Sequence, residues 1–445
     1  MVRVTDMTRG RPIRLILLFS LPLMLGSVFQ QLYTIVDTII IGRGVGMQAL
    51  ASIGAADWIN WLVLWGLQGF TQGFAILAAQ EFGAGAYDRL RRVLAMIVKL
   101  SCWFGIAVTI ISLLLVRPLL TLLHTDPAVF GGAQTYLYVQ FGGSLIIIAY
   151  NMAAAVLRCL GDSRTPLFAI IAASFANIAL DLLFVMGFGW GIFGASFATV
   201  LAQLIAFLLC LRSLRRLPFV QLTKADWKTD PAILLHLCRL GIPTGLQMSM
   251  ITLGGMVLQS VLNGFGVVFV AGYTAANKLY GILESASVAF GYAMTAYMGQ
   301  NRGARNAARI DAGIRAVLVL SAEFTAAIVT AMLVAGKPLL GLFLSTEEAG
   351  AAEALAVAYQ YLMVLMAFLF ALFMLQAYRS SLQGLGEMTV PTLSGFAEML
   401  MRMGAALVLP TFIGQSGVFF AEGAAWVCAA ALNLVWYYMR IGKIK

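Results

Sequence analysis

Four carboxylate residues lie inside otherwise apolar stretches of the chain, and this position gives them the chemistry to bind ions. They are Asp37, Asp181, Glu284 and Glu398. An ionisable group within an apolar membrane span costs about 2.5–3.5 kcal/mol on insertion scales, so it commonly marks a functional position. A carboxylate in a medium of low dielectric favours protonation or a bound cation. The residues around each carboxylate indicate which of these is expected.

Asp37 lies on a polar stripe of the first apolar segment. Spacings of three and four residues place Gln30, Tyr33 and Thr34 on the same helical face as Asp37. A polar stripe on an otherwise apolar helix is expected to line a cavity. Pro22 precedes the stripe and removes a backbone hydrogen bond, so we expect a kink there that serves as a hinge.

Asp181 is estimated to lie at a similar depth in the membrane, on the fifth apolar segment. Asn177 precedes it by four residues and faces the same way. Lys99 is predicted near the inside end of its own span, too far away to neutralise Asp37 or Asp181. Two uncompensated carboxylates should take up a proton or bind a cation such as Na⁺. The alternative is a structural role, with both carboxylates hydrogen-bonded to their neighbours.

Two further polar sets occupy the second half of the chain. The first is a stripe at helical spacing on the eighth span, formed by Tyr273, Asn277, Tyr280 and Glu284. Glu284 could help to bind a cationic compound there, and a structural role is equally open. The second set is Glu398 and Arg402, four residues apart with the acid first, the favoured order for an ion pair within a helix. We expect this pair to be structural.

The composition predicts an integral membrane protein. Of the 445 residues 61% are hydrophobic and 11% are charged, and the mean hydropathy is +0.91. A soluble domain carries about 25% charged residues. A helix needs about 20 apolar residues to cross a bilayer, and stretches of this length recur along the whole chain. Twelve spans are predicted, near residues 13–42, 52–84, 93–116, 132–157, 165–187, 191–211, 234–264, 270–299, 312–335, 355–382, 389–413 and 418–440.

The basic residues predict the orientation of these spans. Short cytoplasmic loops retain Lys and Arg, and an N-terminus inside the cell places most of the 29 basic residues on the cytoplasmic side. The outside loops would then hold Arg43, Arg117 and Lys337. We therefore predict a multi-pass protein of the cell membrane with both termini in the cytoplasm. This orientation also accounts for the net charge of +10, so no nucleic-acid partner is expected.

The two halves of the chain repeat each other at a nearly constant offset. Pro22 matches Pro243, Gln80 matches Gln300, and Gly191 matches Gly417. Each half has an even number of spans, so the halves are parallel repeats related by a pseudo-two-fold axis along the membrane normal. Transporters built this way bind substrate between the repeats and alternate access. The predicted division is an N-lobe at 1–211, a cytoplasmic linker at 212–233 and a C-lobe at 234–445.

The sequence resembles the MATE (multidrug and toxic compound extrusion) family, and most closely its prokaryotic, DinF-like branch. Residues 21–43 look like the first span of that family, with Leu21-Pro22, Asp37-Thr38 and Gly42-Arg43. Residues 177–181 and 189–199 resemble its fifth and sixth spans. The repeated Leu-Gly-Asp/Glu loop, at 160–162 and 385–387, is also similar. The resemblance covers essentially the whole chain.

The resemblance implies a function and a set of residue roles. It implies two six-helix lobes around a central cleft, and secondary active efflux of amphipathic, often cationic compounds in exchange for H⁺ or Na⁺. Asp37 matches the ion-responsive aspartate of the family, and its ion site would be completed by Asn177, Asp181 and Thr199. Gln30, Tyr33, Thr34 and the stripe that ends at Glu284 would then line the substrate cleft. No cofactor beyond the coupling ion is expected, and one chain carries both halves, so a functional monomer is expected.

Other functions remain open at this point. The nearest alternative is a flippase for lipid-linked precursors, which would need several basic residues along the cleft. Lys278 and Arg402 are the only deep basic candidates, which disfavours the flippase. An intramembrane enzyme is disfavoured because His124 and His236 are the only histidines and no His-Glu-x-x-His motif is present. A passive channel is disfavoured because the sequence has no selectivity-filter signature. A duplicated scaffold without transport is the remaining alternative.

Overall fold

The computed structural model describes residues 4–343 and 350–444, and these ranges are almost entirely helical, without a β-strand. Thirteen helices follow one another: α1 (Pro12–Gly44), α2 (Met47–Gly83), α3 (Tyr87–Leu122), α4 (Pro127–Gly142), α5 (Ser144–Cys159), α6 (Arg164–Asp181), α7 (Gly191–Arg215), α8 (Pro231–Leu262), α9 (Val267–Gly303), α10 (Ala307–Gly341), α11 (Ala351–Gly384), α12 (Thr389–Ile413) and α13 (Phe420–Ile444). A π-helical segment, Leu182–Gly187, continues α6.

The predicted spans coincide with these helices, and the all-α, twelve-helix fold is confirmed. Among the described residues ten helices are long and apolar enough to cross a membrane, and α4 with α5, bent by 50°, makes an eleventh if the pair is counted as one span. The bend falls at Gly143, between the two helices. The remaining helix, α9, has the same length as α2, 37 residues. Asn277, Lys278 and Glu284 interrupt its apolar sequence.

Local sequence signals define where several helices begin. The Asp126 side chain accepts a hydrogen bond from the Ala128 amide at 2.8 Å, and Pro127 occupies the first turn of α4. Asn306 caps α10 in the same way, through the Arg309 amide at 3.2 Å. These caps satisfy amides that the first helical turn leaves without a partner, so the chain reverses direction within a few residues.

The described chain divides into two compact units. Unit 1 contains Leu21–Gly245 and the segment that ends at Asp6, and unit 2 contains Met7–Ser20 and the chain from Leu246 onward. This division differs from the lobes expected from the repeats, because the first turns of α1 belong to unit 2 and the start of α8 belongs to unit 1. The boundary within α1 lies beside Pro22, and the boundary within α8 lies close to Pro243.

In unit 1 the segment after α7 is docked against the helices. It contains two short 3₁₀ turns, Pro218–Val220 and Lys224–Trp227. The Lys99 ammonium on α3 donates hydrogen bonds to the Trp227 carbonyl at 2.5 Å and to the Thr229 hydroxyl at 2.9 Å. The segment that we predicted as a linker is therefore held in place by α3.

In unit 2 the residues just before α1 are bound to the ends of α9 and α10. The fully buried Met7 donates its amide to the Gln300 side chain at 2.9 Å. Its carbonyl accepts from Asn301 at 3.1 Å and from the Arg309 guanidinium at 3.0 Å. Arg309 also donates to the Gly10 carbonyl at 2.8 Å. These bonds replace the water that would otherwise solvate the backbone of the segment.

The close approach of α9 to α11 in unit 2 depends on Gly272. A Cβ atom at this position would lie 2.4 Å from the Ala354 carbonyl oxygen and 2.9 Å from the Val357 Cβ. Ordinary carbon–oxygen contacts are longer than that, and the Ala354 oxygen belongs to a helical backbone that has little freedom to move. The glycine therefore lets the two helices pack backbone to backbone, as small residues do in membrane helix pairs.

We predict that Gly272→Ala destabilises unit 2. Overpacking of this kind costs about 1–3 kcal/mol, so the apparent unfolding temperature in detergent should fall. Gly264→Ala is the matched control, because a Cβ atom at Gly264 meets no heavy atom within 4 Å. Thermal unfolding of the three purified proteins, followed by loss of the monodisperse peak in size-exclusion chromatography, checks this. Equal unfolding temperatures for Gly272→Ala and the unchanged protein would contradict the packing argument.

Candidate ion-binding site

The site lies in unit 1, where α1 packs against α6 through apolar residues on either side of two aspartates. Ile40 and Ile41 of α1 belong to a buried cluster with Val185, which follows Asp181. Ile178 of α6, which precedes Asp181, packs against the same cluster. The apolar contacts therefore fix the height of Asp37 relative to Asp181, and the two carboxyl groups come within electrostatic range of each other.

An aromatic cluster holds the connection that follows Asp181. The helix changes from α to π geometry directly after this residue, and such π segments are frequent at functional sites. The Phe184 and Trp190 rings stack with centroids 5.0 Å apart, and the Trp190 amide donates to the Phe184 carbonyl at 2.9 Å. Gly191, with a φ of 55°, allows the sharp entry into α7. The cluster thus sets the position of α7 relative to Asp181.

A cavity opens between α1, α5, α6 and α7. Its polar lining is formed by Gln30, Tyr33, Tyr150, Ser174, Asn177, Thr199 and Gln203. Asn177 and Asp181 are almost completely buried, at 1% and 0% exposure. The Thr199 hydroxyl donates to the Ala195 carbonyl at 3.2 Å, which leaves its oxygen lone pairs available to a cation.

The buried polar atoms of this region lack hydrogen-bond partners among the described residues. They are Asp37 Oδ1, both side-chain polar atoms of Asn177, both carboxylate oxygens of Asp181, and Gln203 Oε1. Buried polar atoms in native proteins are nearly always hydrogen-bonded. Five of these six atoms are oxygen acceptors, so the region has an excess of negative charge and lone pairs. A proton shared between the carboxyl groups, or a hard cation such as Na⁺, would satisfy them.

The donor set does not suit a transition metal. Among the described residues no cluster of three His, Cys, Asp or Glu side chains could hold such an ion. Carboxylate, amide and hydroxyl oxygens are the ligands of hard cations, whereas imidazole and thiolate select softer metals. The residues present therefore fit H⁺ or Na⁺.

The structure brings the four residues of the predicted ion site into one region. Asp37 and Asp181 face each other, and Asn177 and Thr199 line the adjoining cavity. Gln30 and Tyr33 also line this cavity, whereas Thr34 is exposed and its hydroxyl donates to the Gln30 carbonyl at 3.0 Å. Several residues that line the cavity were not predicted from the sequence. One signal was available: Gln203 lies four residues after Thr199, on the same face of α7.

In unit 2 the buried charges form a connected network. Glu398 accepts hydrogen bonds from the guanidinium groups of Arg379 and Arg402, the latter at 3.1 Å. Arg402 also donates to Glu422 at 2.8 Å and to the Ile251 carbonyl at 3.0 Å. The expected pair of Glu398 and Arg402 is thus part of a larger set. Arg379 and Glu422 were missed, because they come from α11 and α13 and no sequence spacing relates them to α12.

The stripe on α9 is divided between the interior and the surface of unit 2. Tyr273 is buried, and its ring stacks on Tyr361 with centroids 4.3 Å apart. Tyr280 is buried as well, against Trp426 at 5.6 Å. Asn277 is exposed, whereas Glu284 is partly buried and in hydrogen-bonding range of Tyr280. Within the stripe, Asn277 and Glu284 are therefore the residues that remain accessible to a ligand.

We predict that Glu398→Gln destabilises unit 2 strongly. The substitution leaves the buried Arg379 and Arg402 with one carboxylate between them, and breaking a buried ion pair costs about 3–5 kcal/mol. The apparent unfolding temperature in detergent should fall by several degrees or more. Glu353→Gln is the matched control, because Glu353 is exposed in the first turn of α11. If Glu398→Gln unfolds at the same temperature as Glu353→Gln, the network adds no stability.

Comparison with known proteins extends these observations. The MatE family model matches residues 22–183 and 243–408, one stretch in each half. The chain is 31% identical to the probable multidrug resistance protein YpnP of Bacillus subtilis, over 100% of this chain and 98% of the relative. It is 24% identical to the probable multidrug resistance protein NorM of Thermotoga maritima, over 94% of this chain and 90% of the relative.

Solved structures agree with this assignment at the level of the fold. A MOP superfamily transporter from Pyrococcus furiosus, described as having a binding pocket of reverse polarity, superposes with a TM-score of 0.91. It is 24% identical and covers 99% of this chain, which covers 98% of it in turn. The placement in the DinF-like branch stays a prediction. The matched stretches include the whole of α6 and the span of α1 that carries Asp37, and the chain therefore belongs to the MatE family of multi-pass membrane transporters, which are not enzymes.

Proposed function

We propose that the protein is a secondary active exporter that exchanges amphipathic or cationic organic compounds for H⁺ or Na⁺. The observation that carries the proposal is the pair of facing carboxyl groups, Asp37 and Asp181, whose buried oxygens have no donor among the described residues. A site of this kind changes its charge when the ion binds. The relatives named as multidrug resistance proteins support organic compounds as the exported class.

The mechanism follows from the charge change. Entry of an ion from the outside neutralises Asp37 and Asp181 and alters the packing of α1 on α6. Because α1 contains Pro22, it can change its bend there without breaking additional backbone hydrogen bonds. The neutralised state has a lower affinity for the compound, which leaves to the outside. Loss of the ion to the cytoplasm restores the carboxylates. The ion can drive this cycle only through its different affinities for the two states.

The orientation and assembly belong to the same proposal. The distribution of Lys and Arg favours a protein of the cell membrane with both termini in the cytoplasm. Each chain carries both repeats, so a monomer contains every residue that the mechanism uses. In this scheme the candidates for substrate contact are Gln30, Tyr33 and Thr34 within unit 1. Asn277 and Glu284 are the candidates within unit 2.

A flippase for lipid-linked precursors is a weaker candidate. Such a protein needs cationic side chains that are free to bind phosphate. In the described part of unit 2 the deep guanidinium groups of Arg379 and Arg402 are already paired with Glu398 and Glu422. Lys278 on α9 is exposed. Of the basic groups predicted from the sequence to lie deep in the membrane, Lys278 is the one without a described ion pair.

We predict that Asp37→Asn and Asp181→Asn each abolish ion-coupled export. Asparagine mimics the protonated carboxyl group and cannot change its charge. Efflux of a fluorescent cationic dye from proteoliposomes should therefore fall by roughly tenfold or more under an imposed ion gradient, since the differential ion affinity is lost. The proton and sodium gradients are imposed separately, and the one that drives efflux in the unchanged protein names the ion.

Asp88→Asn is the matched control for this experiment. The Asp88 side chain is 87% exposed and pairs with Arg91 at the surface, where such a pair is worth at most about 1 kcal/mol. Its efflux should equal that of the unchanged protein. Gradient-driven efflux that survives in both Asp37→Asn and Asp181→Asn would remove the unit 1 mechanism. Absence of efflux under either gradient in the unchanged protein would favour the flippase, with lipid-linked substrates tested next.

We predict that the effect of Thr199→Val on efflux distinguishes sodium coupling from proton coupling. Valine keeps the shape of threonine and removes the hydroxyl oxygen, which could coordinate Na⁺ but is not needed to hold a proton on Asp37 or Asp181. Sodium coupling predicts that the sodium concentration for half-maximal efflux rises about tenfold. Proton coupling predicts an unchanged pH profile. Thr135→Val, on the exposed face of α4, controls for loss of a threonine hydroxyl elsewhere in the membrane.

A further inference from the structure

The segment between α7 and α8 lies along the first turns of α3. The Phe219 ring contacts the Tyr87 ring, at the start of α3, with centroids 5.5 Å apart. At the other end, the Trp227 carbonyl accepts the hydrogen bond from the Lys99 ammonium. Tyr87 and Lys99 are about 18 Å apart along the helix axis. The docked segment, residues 217–230, therefore extends along α3 from its start to the level of Lys99.

The charged residues of α3 indicate where the hydrocarbon core of the membrane lies. Lys99 and Arg117 bracket a run of residues without a charged side chain. Their separation corresponds to about 27 Å along the helix, close to the roughly 30 Å thickness of the core. Lys99 thus lies at one boundary of the core, and Trp227, which is bonded to it, lies at the level of the lipid headgroups. Tryptophan is enriched at that level in membrane proteins, and Trp227 is 40% exposed.

A 3₁₀ turn that begins at Lys224 and ends at Trp227 separates a buried face of the segment from an exposed one. In a 3₁₀ helix, side chains three residues apart lie above one another. Lys224 and Trp227 therefore share a face, and both are exposed. Asp226 is buried instead, and its carboxylate accepts hydrogen bonds from the Thr223 amide and hydroxyl, each at 2.7 Å. Lys228 follows the turn directly and is exposed as well.

The two lysines of this exposed face are not neutralised by the acids next to them in sequence. Asp226 pairs with Arg91 at 3.7 Å. Asp230 accepts hydrogen bonds from two amides in the first turn of α8, at 3.0 and 3.2 Å. Among the residues that the structure describes, Lys224 and Lys228 form no ion pair. The face therefore presents two positive charges and an indole at the level of the headgroups.

We propose that Lys224, Trp227 and Lys228 form a binding surface for an anionic phospholipid. The headgroup phosphate accepts hydrogen bonds from the lysine ammonium groups, and the indole lies beside the start of the acyl chains. Charge complementarity selects this occupant, because lysines near a membrane surface attract anionic lipid, whereas a zwitterionic headgroup carries its own compensating charge. A free phosphate ion would match the lysines and leave the indole without an apolar partner. The inference goes beyond the proposed function and depends on neither the coupling ion nor the exported compound.

The test measures lipid binding to the purified full-length protein by native mass spectrometry in detergent. Phosphatidylglycerol and phosphatidylcholine with the same acyl chains are added separately, and phosphatidylglycerol should bind about fivefold more tightly or better. Lys224→Gln combined with Lys228→Gln should raise the dissociation constant of phosphatidylglycerol about five- to thirtyfold, since each lysine contributes roughly a factor of five. Lys224→Arg combined with Lys228→Arg keeps both charges and should bind as the unchanged protein does. Trp227→Ala should weaken binding of phosphatidylglycerol as well.

The matched control is Arg11→Gln combined with Arg14→Gln, which removes two exposed basic side chains at the start of α1. It should bind phosphatidylglycerol as the unchanged protein does. An equal loss in this control would overturn the proposal, because the effect would then be general to exposed positive charge.

Two further outcomes would overturn the proposal, and both use the unchanged protein, so they do not depend on the folding of a variant. The first is equal dissociation constants for phosphatidylglycerol and phosphatidylcholine. The second is complete displacement of phosphatidylglycerol by millimolar inorganic phosphate, which would indicate a site for a free anion. Size-exclusion profiles show whether each variant is folded.

Discussion

Two carboxyl groups that face each other in a membrane cannot both stay charged without a cation, and this constraint organises unit 1. Asp37 and Asp181 come from helices that are far apart in sequence, and no arginine or lysine among the described residues pairs with either one. The apolar cluster around Ile40 and Val185 holds them together. The stability of this arrangement therefore depends on what neutralises the pair. Under the proposed function, an ion gradient acts on the protein through the charge of this pair.

The duplicated halves handle buried charge in opposite ways. In unit 2 Glu398 and Glu422 are matched by Arg379 and Arg402, so these four charges balance one another. The position that follows Pro243 at the spacing between Pro22 and Asp37 is Leu258, a buried apolar residue. One repeat thus keeps a titratable pair while the other has a closed ionic network. After duplication, ion response and structural support can be assigned to different copies of the same architecture.

The sequence predicts the fold well because membrane helices obey local rules. Hydropathy and Gly/Pro breaks predicted every span, with ends within six residues of those observed, including α9 despite its polar residues. Spacing along one helix also placed Asn177 beside Asp181 and Glu398 beside Arg402. What it could not predict comes from tertiary contact. Arg379 was not predicted, because its burial against Glu398 depends on how α11 meets α12. The bend between α4 and α5 and the grouping of residues 7–20 with unit 2 have the same origin.

The docking of Met7 has a consequence for how the protein is made. Its partners Gln300, Asn301 and Arg309 are separated from it by about 300 residues, so the ribosome has built the whole first repeat before they exist. During that time the Met7 backbone lacks the partners that it has in the complete protein. Completion of unit 2 is therefore a late, non-local step in biogenesis, because the end of α9 and the start of α10 must meet the segment around Met7.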